Sequence, residues 1–171
     1  MRWLVLLVTV VVGGGCGGVQ PPPTTARLEL GTVASDGTGF LPLTGDQPLI
    51  SGAQGGFHVW LKYRVIGMAA ETVTVHREAR RVMDHRLVLT TDGVQDVGAP
   101  DANGAWELPQ ALPSFMCPSP IGVQVMDEAI LFDVEMKLED GNTIKANAEA
   151  TPHCPPVGDP QHDFCIRICA G

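Results

Sequence analysis

No uninterrupted apolar stretch in this sequence approaches the ~18 residues that a membrane-spanning helix requires, which argues against a permanent helical anchor. Basic residues are scarce: 11 Lys and Arg stand against 19 Asp and Glu, for a net charge of −8. A nucleic-acid partner is therefore not expected, because phosphate backbones reward clustered cations. There is no G-x-S-x-G elbow, no G-x-x-x-x-G-K phosphate loop and no H-E-x-x-H pair, so no familiar catalytic constellation is written into the chain. Paired Cys-x2-Cys and His-x3-His units are missing too, as is any internal repeat. What is present is 171 residues, 44% of them apolar, with 20 Gly and 14 Pro. That length suits one domain with tails, and it can bury a core without depending on cysteines alone.

The first residues read as an address. Arg2 supplies a positive start, Leu4–Val12 (LVLLVTVVV) forms a nine-residue apolar run, and Gly13, Gly14 and Gly15 lead into Cys16. A helix of that length covers roughly half of a bilayer core, as an export signal does. The arrangement resembles the lipobox of bacterial lipoproteins, although that family places an aliphatic residue where Gly13 stands. The resemblance implies that residues 1–15 are removed, that Cys16 is lipidated and becomes the N-terminus, and that membrane contact is made through the lipid. Gly17, rather than Asp, follows the cysteine, which by the same resemblance points to the outer membrane or cell surface, with the periplasmic side left open. Alternatively, Cys16 merely lies in a cleaved leader. Residues 16–25 carry three consecutive prolines, Pro21 to Pro23, and read as an extended tether.

Beyond residue 26 the apolar pattern has period two. In Phe57–Val65, Phe57, Val59, Leu61, Tyr63 and Val65 share one face, and His58, Trp60, Lys62 and Arg64 the other, as alternation on a pleated strand dictates. Glu71–Val75 and Arg86–Thr90 are rich in β-formers. Ile130–Leu138 alternates, Asp140-Gly141-Asn142 turns the chain, and Thr143–Ala150 returns, which is a hairpin pattern. Shorter strands are expected at Ala26–Leu30, Phe40–Leu43 and Ile121–Met126, and His76–His85 is read as the continuation of a hairpin. The fold class is all-β: an antiparallel β-sandwich of about seven to nine strands spanning residues 26–154, with an immunoglobulin-like topology as one option. The Cys…Trp…Cys spacing of antibody domains is missing. The stretch Gln54-Gly55-Gly56-Phe57-His58-Val59-Trp60 is similar to one found in exported bacterial proteins with β-rich domains. That resemblance implies architecture and no activity. Gly55-Gly56 would let the backbone turn or bulge before the strand begins.

Five cysteines leave one odd thiol in an oxidising compartment, and assigning Cys16 to lipid leaves Cys117, Cys154, Cys165 and Cys169 free to pair. The hairpin brings Cys117 and Cys154 to one end of the sandwich, which favours Cys117–Cys154 with Cys165–Cys169. The second pair requires a helical or tightly turned tail, since a strand would hold the two about 13 Å apart. The alternative joins Cys154 to Cys165 or Cys169, and Cys117 to the other. Either way the Cys-rich tail, residues 155–171, is clamped.

A sharper reading is a metal site. His153, Cys154, His162, Cys165 and Cys169 fall within seventeen positions, and thiolates with imidazoles suit zinc or copper(I). A cupredoxin pattern fails, because no His follows Cys117 before His153. His58, Trp60, Lys62 and Arg64 form a second candidate, a ligand face on which the ring stacks and the cations grip an anion; the plainer reading is a solvent-facing strand side. The basic group Arg77, Arg80, Arg81 and Arg86 reads as a solvated face. Asp101 and Asn103 only partly match a calcium loop and read as an ordinary acidic loop. The expected function is a non-enzymatic binding or structural module of the cell envelope with no cofactor, meeting an envelope protein or glycan. The alternatives are an extracytoplasmic metal-binding protein and an envelope enzyme with an unrecognised site.

Overall fold

Two β-sheets face one another across a core assembled from alternate positions of the long strands. The computed structural model describes residues 26–34, 37–67, 72–96 and 100–171, so the leader, Cys16, the tether and Glu71 lie outside the described residues. The strands are β1 (Arg27–Thr32), β2 (Leu41–Pro42), β3 (Gly45–Pro48), β4 (Ile50–Ser51), β5 (Phe57–Ile66), β6 (Thr72–Arg81), β7 (Leu87–Asp96), β8 (Ala105–Glu107), β9 (Leu112–Cys117), β10 (Ile130–Lys137) and β11 (Thr143–His153), followed by one helix, α1 (His162–Cys169). Four of the eleven strands have only two to four residues, and the seven longer ones match the expected sandwich.

In the first sheet, β5 is central. Phe57 and His58 pair with both β4 and β9, and Arg64 and Ile66 pair with both β1 and β8, so both edges of the strand are hydrogen-bonded. The second sheet runs β3-β11-β10-β6-β7 and is antiparallel except for the parallel β3–β11 pair. Phe57, Val59, Leu61, Tyr63 and Val65 of β5 meet the inward row Ile130, Phe132, Val134 and Met136 of β10, all buried. Each such side chain, fully buried, is worth roughly 1.5–3 kcal/mol, and this burial holds the two sheets together. Phe132→Ala would cost about 3–5 kcal/mol, since the cavity adds to the lost transfer energy.

The doublet Gly55-Gly56 does what its composition implied. Gly55 turns at φ 81°, a conformation that penalises side chains. A Cβ on Gly56 would lie 2.5 Å from the Cys117 carbonyl oxygen. The β5–β9 register then shifts between Phe57 and His58, a bulge at the strand's start. The ambiguous stretch His76–His85 continues β6 to Arg81 and then turns, completing a hairpin with β7.

Two expectations are corrected. Ile121–Met126 is not a strand: Val123 and Val125 are buried, but Val125 donates its N–H to the Cys169 carbonyl rather than to a ladder. The favoured pairing Cys117–Cys154 with Cys165–Cys169 is also wrong. The disulfides are Cys117–Cys169 and Cys154–Cys165, the alternative pairing. The tail is helical, as a Cys165–Cys169 link would have required, but α1 lies between the ends of β9 and β11. Each strand-end cysteine therefore finds a helix cysteine nearer than the other strand.

Candidate functional site

The tail helix is placed by local chemistry. The Asp159 carboxylate accepts the Gln161 N–H at 2.7 Å just before the first turn. Asp163 in that turn and Arg167 in the last complement the helix dipole. Cys165 and Cys169, four apart, share the face turned to the sandwich, and both are fully buried. Phe164 meets Phe57 at 5.9 Å between ring centroids, and Ser119 donates its N–H to the Ile168 carbonyl. The helix caps the end of the core, and the two disulfides fasten it to a strand of each sheet.

This geometry bears on the metal set. The sulfurs of Cys154, Cys165 and Cys169 all lie within 4.8 Å of one another, but each is oxidised in a disulfide. A metal takes thiolates, so the oxidised cluster has no thiolate to offer. The histidines are not brought in. His153 meets Asp127 through Nδ1 at 2.6 Å and Asp46 through Nε2 at 3.0 Å, and these carboxylates raise its pKa. His162 places Nδ1 2.6 Å from the Pro155 carbonyl oxygen, where it donates.

The second candidate, the outward face of β5, is more covered than a solvent-facing strand. Lys62 is buried, donates from Nζ to the Gly39 carbonyl at 2.9 Å and pairs with Glu107 at 2.6 Å. Arg64 donates from Nη2 to the same Glu107 at 2.8 Å, and its guanidinium lies 4.0 Å over the Phe40 ring. That ring fits only because Gly31 has no side chain, since a Cβ there would be 2.5 Å from it. Burial pushes the Glu107 carboxyl up, but hydrogen bonds and charge from Lys62 and Arg64 outweigh it and hold it down. The two cations are thus both paired within the protein. The sequence signal that could have found this is cross-strand: Glu107 stands opposite Arg64 on β8, and Glu29 on β1.

Left on that face is an aromatic corner. His58 is 5% exposed, its ring 4.4 Å edge-on to Trp60 and 5.8 Å from Phe115. Neither ring nitrogen has a partner among the described residues, and burial lowers its pKa. Trp60, half-buried, forms a wall of a groove of about 440 Å³ with Thr32, Leu41, Asp46, Gln47 and Ile50. Leu41 and Ile50 are exposed there, at 48% and 37%.

Several of the remaining charged groups are paired with one another. On the outer face of the second sheet, His76 meets Asp92 at 2.8 Å, Lys145 pairs with Glu135, and a depression of about 410 Å³ lies between them. Arg80 binds Glu78, Arg81 binds Asp84, and Arg86 donates to the Ile121 and Gly122 carbonyls. Asp101 accepts the N–H groups of Asn103 and Ala105, which makes it a turn former rather than a calcium ligand.

Two disulfides are compatible with an exported protein. No helix among the described residues is long and apolar enough to cross a membrane. No protein-family model matches the chain, and no curated protein is significantly similar to it.

Proposed function

We propose that this chain is an exported lipoprotein of the cell envelope, tethered by lipid on Cys16 to the outer membrane or cell surface, that binds an uncharged glycan in the Trp60 groove without catalysis. The observation that carries the reading is the groove itself. Apolar Trp60, Leu41 and Ile50 line it together with the polar side chains of Asp46 and Gln47, the mixture that a sugar ring with one apolar face and a fringe of hydroxyls demands. Lys62 and Arg64 are already paired, which favours a neutral ligand over an anionic one. Export accounts for the double disulfide clamp, and the Pro-rich segment would hold the domain off its anchor.

Trp60 makes the test direct. Trp106 is buried at 3% exposure, so in a chain beginning at Cys16 the groove tryptophan is the solvent-accessible fluorophore. Chitin oligosaccharides, which are uncharged, should quench or shift its emission, and in titration calorimetry Trp60→Ala should abolish binding while the protein remains folded. Equal binding by the Trp60→Ala protein would overturn the reading. Export is tested separately: Cys16→Ser should release the protein to the soluble fraction, and unchanged membrane partitioning would remove the lipid anchor from the account.

A further inference from the structure

β7 is an edge strand of unusual kind for this molecule. It has ten residues, Leu87–Asp96, without proline, and among the described residues its only ladder partner is β6. The other open edges are shorter: β2 and β4 have two residues each, β8 three, β3 four ending in Pro48, β9 six including Pro113, and β11, unpaired on the β3 side over its first seven residues, carries Lys145. Short length and proline are the usual protections of an exposed row of backbone N–H and C=O groups, and β7 has neither.

Beside it a cleft opens between the two sheets. Between β7 and β9 a cleft of about 230 Å³ is lined by Leu89, Thr91 and Gly93 on one side and Leu112, Pro113 and Phe115 on the other, with Arg77 of β6 at its base donating from Nε to Thr91 Oγ1 at 2.9 Å. It shares Gln95 and Leu112 with a second depression of about 330 Å³, so the two follow the length of β7. Phe115 is 41% exposed at the cleft and Val94 68% beside it. An added strand would send alternate side chains into the cleft, and the others would extend the outer face beside Thr90, Asp92, Val94 and Asp96.

Charge selects the occupant. Asp92, which meets His76 but stays 75% exposed, and Asp96 are the charges of β7, which has no Lys or Arg, in a chain of net charge −8. A second copy pairing antiparallel through β7 would crowd like charges on one face. We propose that β7 is a β-augmentation site for an extended segment of another protein, in which apolar residues alternate with Lys or Arg. The cleft shares no lining residue with the Trp60 groove, so the two readings stand or fall separately.

The test uses the disulfide-intact protein and two blocked eight-residue peptides, one alternating Val with Lys and one alternating Val with Glu. Amide NMR should show shifts confined to β7 and β9 with the Lys peptide, slowed exchange at alternate β7 amides, and at least about ten-fold weaker binding of the Glu peptide. Asp92→Asn with Asp96→Asn, both on the surface, should weaken the Lys peptide about five-fold at an unchanged melting temperature. No binding, equal binding of both peptides, or shifts at the Trp60 groove would overturn the proposal. So would concentration-dependent dimerisation that protects β7, which would make a second copy the occupant.

Discussion

Cys165 and Cys169 stand one turn apart on α1 with their sulfurs 3.7 Å from each other, yet each bonds away from the helix, to Cys154 and Cys117. The helix is thereby tied to two strands that belong to different sheets. A bond between the helix cysteines would have tied it to nothing.

The two bonds should differ in worth. Cys117–Cys169 closes a loop of 52 residues and Cys154–Cys165 one of 11. Chain entropy assigns the first about 4 kcal/mol and the second about 3. The double variant Cys117→Ser/Cys169→Ser should therefore lower stability more than Cys154→Ser/Cys165→Ser in urea denaturation. Non-reducing peptide mapping at acid pH checks the pairing first, and a Cys117–Cys154 peptide would refute it.

The strands were legible where one face is buried and the other wet. β10 and β11 alternate cleanly because one sheet face meets the core, and the Asp140-Gly141 turn, with Gly141 at φ 84°, marks the hairpin between them. β8 and β9 escaped the same reading: Ala105–Glu107 is too short for periodicity, and Pro113 breaks the composition of Leu112–Cys117. Ile121–Met126 misled for the opposite reason, since Val123 and Val125 are buried by the tail helix, a partner remote in sequence. At the site, alternation placed His58, Trp60, Lys62 and Arg64 on one face. It could not show that Glu107 arrives from another strand to neutralise two of them.

Glu107 should prove structurally important. Glu107→Gln removes the carboxylate that faces both Lys62 and Arg64, and Lys62 is only 6% exposed. A buried ammonium left with neutral acceptors alone costs about 2 kcal/mol or more, because its desolvation is no longer offset by an opposite charge. A clear drop in the denaturation midpoint with an unchanged slope is the expected result, and Glu107→Asp should recover little of it.

Two histidines should impose opposite pH dependences. The Asp46 and Asp127 carboxylates raise the pKa of His153 above its ordinary 6.5. Its contribution is thus complete below pH 6.5 and is lost as pH rises through the higher folded value. Partial exposure of this side chain keeps the effect modest. Burial lowers the pKa of His58, so the folded state resists a proton that the unfolded chain accepts, and stability declines as pH falls below 6.5. Ring-proton NMR titration should find His153 titrating above 6.5 and His58 below it. His153→Asn should flatten the loss on the alkaline side alone.

His58 also separates packing from recognition. Its nitrogens have no partner among the described residues, so replacing the ring by an apolar side chain removes an unmet polar demand at small cost in volume. His58→Leu should leave stability unchanged or raise it by up to about 1 kcal/mol. Both ring nitrogens are buried and His58 does not line the groove, so the same variant should keep its ligand affinity while Trp60 fluorescence still reports a folded groove. A melting temperature that falls sharply would show that the ring makes a bond through ordered water instead.

The sulfur cluster allows one last prediction, on metal. As isolated, the protein should react with no thiol reagent at Cys117, Cys154, Cys165 or Cys169, and it should retain no zinc after dialysis, since all four sulfurs are disulfide-bonded. Reduction changes the chemistry without moving the backbone far. Zinc–thiolate bonds of about 2.3 Å set tetrahedral sulfurs roughly 3.8 Å apart, and the Cys165 and Cys169 sulfurs already lie at 3.7 Å. Reduced protein should therefore take up about one zinc per chain, with release of protons as the thiols ionise. Reoxidation should expel the metal and restore both disulfides. Zinc found in protein that was never reduced, with four titratable thiols, would make the cluster a resident metal centre and the disulfides an oxidation product.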